Sequence, residues 1–169
     1  GLGDVYKRQP GKTAIYVDRD GTIVWGGVLW TRSYDSTSQT LTFQGREFES
    51  YFEKRRINFD YNTAGTTQDQ LLVVQNLINT IQSTAGSIYN IGVQVGTETS
   101  GVTVAKTYRQ YEYKPVTEAI YELSKSNTGF DWNIDVLYDS SYNIIKKLML
   151  EYPRRGAVYG STSTFNNVL

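Results

Sequence analysis

The stretch AIYVDRDGTIVWGG, residues 14–27, decides how the rest of the chain is read. An apolar run ends in Asp18-Arg19-Asp20-Gly21-Thr22, and a second run, Ile23-Val24-Trp25, follows at once. A type I′ turn needs positive φ at both central residues, and Asp-Gly supplies it at low cost. The flanking residues are β-branched and aromatic, which suits strands. On this basis 13–18 is one strand and 21–35 its antiparallel partner. Asp18 and Asp20 then shape the turn through local hydrogen bonds.

That D-x-D-G-T pattern resembles the nucleophile loop of the haloacid-dehalogenase phosphatases. The resemblance implies a doubly wound parallel sheet, with a helix and a crossover directly after the motif. Here the motif runs on into "IVWGGVLW", which is more strand. The lysine and late acidic pair that such an enzyme needs are met only loosely, by Lys106 or Lys125 and by Asp131 with Asp135, without a Gly-Asp setting. The hairpin is the preferred reading, and the Mg-dependent phosphatase using Asp18 and Asp20 is the alternative.

Composition narrows the field further. The chain has 169 residues, enough for one domain with a core. Lys+Arg and Asp+Glu both number 17, which argues against a protein built to hold nucleic acid by charge. There is no cysteine and no histidine. Disulfide frameworks, thiolate or imidazole metal sites and Ser-His or Cys-His pairs are therefore excluded. Tyrosine is abundant, at 14, as expected for half-buried strands. No apolar run approaches the roughly 18 residues of a membrane span.

The ends are read apart. "GLGDVYKRQPGK" does not match the spacing of a phosphate loop, and "LGDVYKRQ" resembles translated adapter sequence. Residues 1–10 are expected to be a non-native leader, and 11–169 a single domain truncated at its C-terminus.

Outward from the hairpin, "SQTLTFQG" (38–45) alternates Leu41 and Phe43 with polar residues and predicts a third strand. Gly26-Gly27 predicts a bulge or a close backbone approach. "REFESYFEKRRI" (46–57) predicts a short amphipathic helix. "TQDQLLVVQNLINTIQSTAG" (67–86) predicts a longer one, with Thr67 and Gln70 as a capping box, Leu71, Val74, Ile78 and Ile81 on one face, and Gly86 as its stop. Residues 89–113 are expected to be strand-like. Pro115 is expected at the first helical position of "PVTEAIYELSKSNTG". "FDWNIDVLYD" (130–139) alternates Phe130, Trp132, Ile134, Val136 and Tyr138 with Asp131, Asn133 and Asp135, and "IIKKLMLEYPRRG" is its hairpin partner. The fold class predicted is α+β, with antiparallel sheets carrying two or three amphipathic helices.

One resemblance spans about residues 14–167. Trp25-Gly26-Gly27-Val28-Leu29-Trp30 follows a polar turn. A strand and an aromatic helix pattern come next, carried by Phe48, Ser50, Tyr51, Phe52, Arg55, Arg56 and Ile57. "DQLLVVQNLINT", "NIGVQVGTETSGVTVAKTYRQYEYKPVTEAI", "NTGFDWNIDVLYD" and "LEYPRRG" follow in order. The series resembles the N-terminal region of siphophage minor tail proteins of the baseplate hub class, especially those of actinobacterial hosts. The resemblance implies a barrel-like module related to the tail tube, located at the tail tip of the virion and made in the host cytoplasm. It implies a homo-oligomer, often a trimer in that class, with distal-tail and tape-measure proteins as partners. It implies no catalytic residue, no cofactor, no metal, no membrane and no specific nucleic acid.

The remaining candidates for interaction are Trp25, Trp30 and Trp132, Arg55 and Arg56, and Arg154 and Arg155. The tryptophans, read as a sugar platform, compete with a core role, which strand spacing favours for Trp132. Lys54-Arg55-Arg56 reads as the solvated or ion-paired end of a helix, or as a face toward an acidic subunit. "YRQYEYKP" (108–115) reads as an amphipathic edge strand in preference to a base-stacking surface. Arg154-Arg155 reads as a solvated turn.

Overall fold

A computed structural model of the chain describes residues 10–84 and 88–155. The stop expected at Gly86 and the two chain ends lie outside the described residues. Three strands open the fold: β1 (Ala14–Arg19), β2 (Thr22–Asp35) and β3 (Thr40–Glu47), in the order β1-β2-β3 and antiparallel throughout. The opening hairpin is formed as predicted. Arg19 pairs with Thr22, and Asp20 (φ 54°) and Gly21 (φ 80°) fill the two positive-φ positions of the turn.

The register carries two irregularities, between Val17 and Asp18 and between Leu29 and Thr31. Gly26-Gly27 itself is the close approach. A Cβ on Gly26 would lie 2.7 Å from Val136 Cγ2, and one on Gly27 would lie 2.2 Å from the Arg46 carbonyl oxygen.

After β3 comes α1 (Glu49–Glu53), shorter than the predicted 46–57 because β3 runs on to Glu47. Then follow β4 (Gln68–Asp69), α2 (Gln70–Ser83), β5 (Val93–Gln94), β6 (Thr103–Val104) and a 3-10 turn (Gln110–Glu112). The chain continues through α3 (Val116–Ser124), β7 (Asp131–Tyr138) and β8 (Ile144–Glu151). Buried Leu71, Val74, Ile78 and Ile81 make the predicted face of α2, but Val73 and Leu77 are buried too, so the helix lies at the centre of the core. Each such side chain contributes about 1.5–3 kcal/mol relative to exposure. Around it pack Phe48, Tyr51 and Phe52 from the α1 region, Ile120 and Leu123 from α3, and Phe130, Ile134 and Leu148 from the last hairpin.

Several expectations are corrected. Asp69, not Thr67, caps α2, accepting from the Leu71 amide at 2.9 Å. Pro115 stands one residue earlier than predicted, as the N-cap of α3. Residues 89–113 are mostly irregular, because side chains take the backbone groups that a ladder would have used. Gln82 bonds both the amide and the carbonyl of Val93, Gln75 donates to the Glu98 carbonyl, and Asp69 accepts from the Ser100 and Gly101 amides. The expected edge strand over 108–115 is instead the 3-10 turn, followed by Tyr113 at φ 50°.

The β7–β8 hairpin has the predicted antiparallel register, Asp131 with Glu151 through Tyr138 with Ile144, but β5 joins β8 in parallel. The α+β class holds. The barrel does not: three separate sheets of three, two and three strands are present among the described residues, and none closes.

Candidate assembly surface and adjoining cleft

The β1–β2–β3 sheet has two unlike faces. Residues paired across strands share a face, so the register places Tyr16, Gly26 and Val28 on one side and Ile15, Val17, Trp25, Leu29 and Gly45 on the other. The first side meets the core. Tyr16 packs on Phe48 with ring centroids 5.9 Å apart, and its hydroxyl lies 3.4 Å from Lys146 Nζ.

Trp30, two residues beyond Val28, faces the same side, where its indole N–H donates to Ser50 Oγ at 2.7 Å, and the irregularity beside it brings Thr31 to that side as well. The second side continues past β1. Beyond Leu29, among the described residues, only β2 and β3 remain paired, and Phe43, Tyr34 and Leu41 continue this face on a two-stranded ribbon, with Arg32 paired beside Phe43. Thr31, Ser33, Thr42 and Gln44 form the polar back of this ribbon. Val17 is 45% exposed and Tyr34 57%. Leu41 and Phe43 were legible as an apolar stripe.

Asp18 serves the hairpin through its carboxylate, and Asp20 through its positive φ. Asp18 Oδ1 accepts from the Gly21 amide at 3.1 Å, and Oδ2 accepts from the Tyr138 hydroxyl at 3.0 Å. This bond to Asp18 raises the pKa of the Tyr138 hydroxyl. The strand after the motif is antiparallel, so the parallel strand-and-helix frame expected of the phosphatase loop is not built around it. The loosely matched companions lie elsewhere in other roles. Asp131 accepts from the Arg155 amide, Asp135 bonds Asn133, and Lys125 sits over the Tyr121 ring.

The three tryptophans separate. Trp30 faces Ser50, while Trp25 and Trp132 line one open cleft with Arg46, Glu47, Glu49, Glu53 and Asn133. Trp25 lies across two glycines: a Cβ at Gly27 would sit 2.7 Å from its Cη2, and one at Gly45 3.0 Å. Glu49 anchors the floor, its Oε1 accepting from the Ile134 amide at 2.6 Å while Oε2 is buried without a partner. Burial pushes the Glu49 carboxyl up; the Ile134 bond opposes this, and nearby Glu47 and Asp135 add to the rise. Glu53 is paired with Arg46 at 2.6 Å.

The basic candidates are bound into the fold in different ways. The Arg55 guanidinium lies over the rings of Tyr51 and Tyr89, 4.1 and 4.5 Å from their centroids, instead of entering solvent or an ion pair. Arg56 bridges to Pro115 through its backbone and exposes its side chain. Arg154 is a capping residue: one guanidinium nitrogen donates to the Ser126 carbonyl at 2.9 Å and also to the Ser124 carbonyl, at the end of α3. Arg155 reaches back to Glu151 at 2.5 Å on the surface.

No described helix is long and apolar enough to cross a membrane. No protein-family model matches the chain, and no match is found among curated proteins or solved structures.

Proposed function

We propose that this chain is a structural, non-enzymatic assembly module of the phage tail-tip type, acting by pairing with copies of itself and docking to other tail components in the virion. The observation that carries the proposal is the amphipathic β2–β3 ribbon. An isolated two-stranded hairpin is marginal in water, yet this one extends past β1 with Tyr34 and Leu41 paired on one face and Tyr34 57% exposed. Its outer edge is unpaired among the described residues. A projecting edge with an apolar face is a template for another chain unless something covers it. A second copy meets that need with a self-complementary surface, the commonest solution among oligomers. The order of motifs along residues 14–167 supports the tail-tip assignment and names distal-tail and tape-measure proteins as the partner class.

Sedimentation velocity over a concentration series tests this. The expected result is reversible self-association, abolished by Tyr34→Asp with Leu41→Lys while circular dichroism and melting are preserved. A chain that remains monomeric at every concentration contradicts the proposal.

A further inference from the structure

We infer that the cleft between β2, α1 and β7 is a saccharide-binding site, a function distinct from assembly. It has a volume of about 570 Å³ and is lined by Trp25 and Trp132. Those two residues are far apart in sequence, and both border the cleft where β7 runs beside β2. Sugar rings present apolar C–H faces and an equatorial belt of hydroxyls. They are held where aromatic faces stand beside fixed hydrogen-bonding groups.

The cleft supplies both. Neither tryptophan is fully buried, so ring surface remains accessible at its wall. Arg46 and Glu53 are clamped to each other through both guanidinium nitrogens, at 2.8 and 2.6 Å, and so present oriented donors and acceptors. Asn133 adds an amide. Glu49 cannot swing away, since its Oε1 holds the Ile134 amide at 2.6 Å.

Charge sets the selectivity. With Arg46 and Glu53 neutralising each other, Glu47 and Glu49 leave the lining acidic. An acidic sugar is repelled there, and a sugar bearing an ammonium group is drawn in. The ligand class is therefore a neutral or amino-bearing hexose, with glucosamine units preferred.

The site can be tested independently of self-association. The chain holds three tryptophans, and the structure divides them. Indole N–H signals are followed by NMR while glucosamine trisaccharide, maltotriose or an acidic trigalacturonate is added at constant ionic strength. The Trp25 and Trp132 signals are expected to move most with the first two sugars, and Trp30, whose indole N–H is held by Ser50 at the wall of the cleft, less. Trigalacturonate is expected to move none. Glu47→Gln, at an exposed position, is expected to weaken glucosamine binding about tenfold and leave maltotriose binding within about twofold. Trp132→Phe, which keeps an aromatic ring of smaller size, is expected to weaken both. The inference is overturned if no indole moves, if Trp30 alone moves, or if the acidic sugar binds as well as the amino sugar. Tyr34→Asp with Leu41→Lys should leave sugar binding intact, so failure here and failure of self-association are separate results.

Discussion

Glu49 Oε1 accepts a hydrogen bond from the backbone amide of Ile134 at 2.6 Å, joining the start of α1 to the middle of β7 across 85 residues of chain. It ties the β1–β2–β3 sheet to the C-terminal hairpin. The second carboxylate oxygen is buried without a partner, and burial raises the pKa of the group above its ordinary 4.5. An acid whose folded pKa exceeds its unfolded one stabilises the fold when protonated. That contribution is complete below about 4.5 and is lost as pH rises through the raised folded value. Urea midpoints across a pH series should therefore fall over the interval directly above 4.5. Glu49→Gln, which keeps an acceptor for Ile134, should flatten that part of the profile. An unchanged profile would place the pH dependence elsewhere.

Gly21 and Gly27 separate two reasons for glycine. Gly21 has φ 80° and nothing within 4 Å of a built Cβ, so Gly21→Ala meets backbone strain alone and should cost about 1 kcal/mol. At Gly27 an added Cβ meets the Arg46 carbonyl oxygen at 2.2 Å and Trp25 at 2.7 Å, and Gly27→Ala should cost more than about 3 kcal/mol. For a chain this size each kcal/mol is about 2–4 °C of melting temperature, so calorimetry resolves the two.

Asp69 does more than cap α2. Its carboxylate accepts from Leu71 N at 2.9 Å, Ser100 N at 2.9 Å, Ser100 Oγ at 3.1 Å and Gly101 N at 2.7 Å. Asp69→Ala should cost about 2–3 kcal/mol, beyond a cap alone. Amide exchange should accelerate around 98–104 as well as in the first turn of α2. Acceleration confined to the helix would show that the loop is held by other contacts.

These contacts also mark where sequence reasoning stopped. Local periodicity carried the elements whose partners are local: the Asp20-Gly21 hairpin, the alternation from Phe130 to Tyr138, and the α2 face from Leu71 to Ile81. It failed over 89–113, where Gln75, Gln82 and Asp69 bind the backbone from positions distant in sequence. Those glutamines read as ordinary polar residues of a helix, and only tertiary placement shows that Gln82 substitutes for a strand. The candidate surface was legible in part, since Leu41 and Phe43 alternate visibly. The placing of Trp25 and Trp132 on one cleft and the capping role of Arg154 depend on how β7 and α3 pack.

Arg55 offers a prediction about cation chemistry. Its planar group lies over Tyr51 and Tyr89. Arg55→Lys keeps the charge but loses a delocalised plane that stacks, and should cost about 1 kcal/mol. Arg56→Lys, at an exposed side chain, should cost less than about 0.5 kcal/mol. Equal effects would remove the stacking account.

The central claim, that copies pair through the ribbon, has a direct test because the chain has no cysteine. Thr42 sits on the polar back of the ribbon, opposite Ser33. A nitroxide on Thr42→Cys reports distances between copies by pulsed electron paramagnetic resonance without disturbing the apolar face. A narrow intermolecular distance distribution, lost when Tyr34→Asp and Leu41→Lys are added, is the predicted result. No intermolecular coupling at a concentration where the chain sediments as an oligomer would contradict it, and would move the assembly surface away from this sheet.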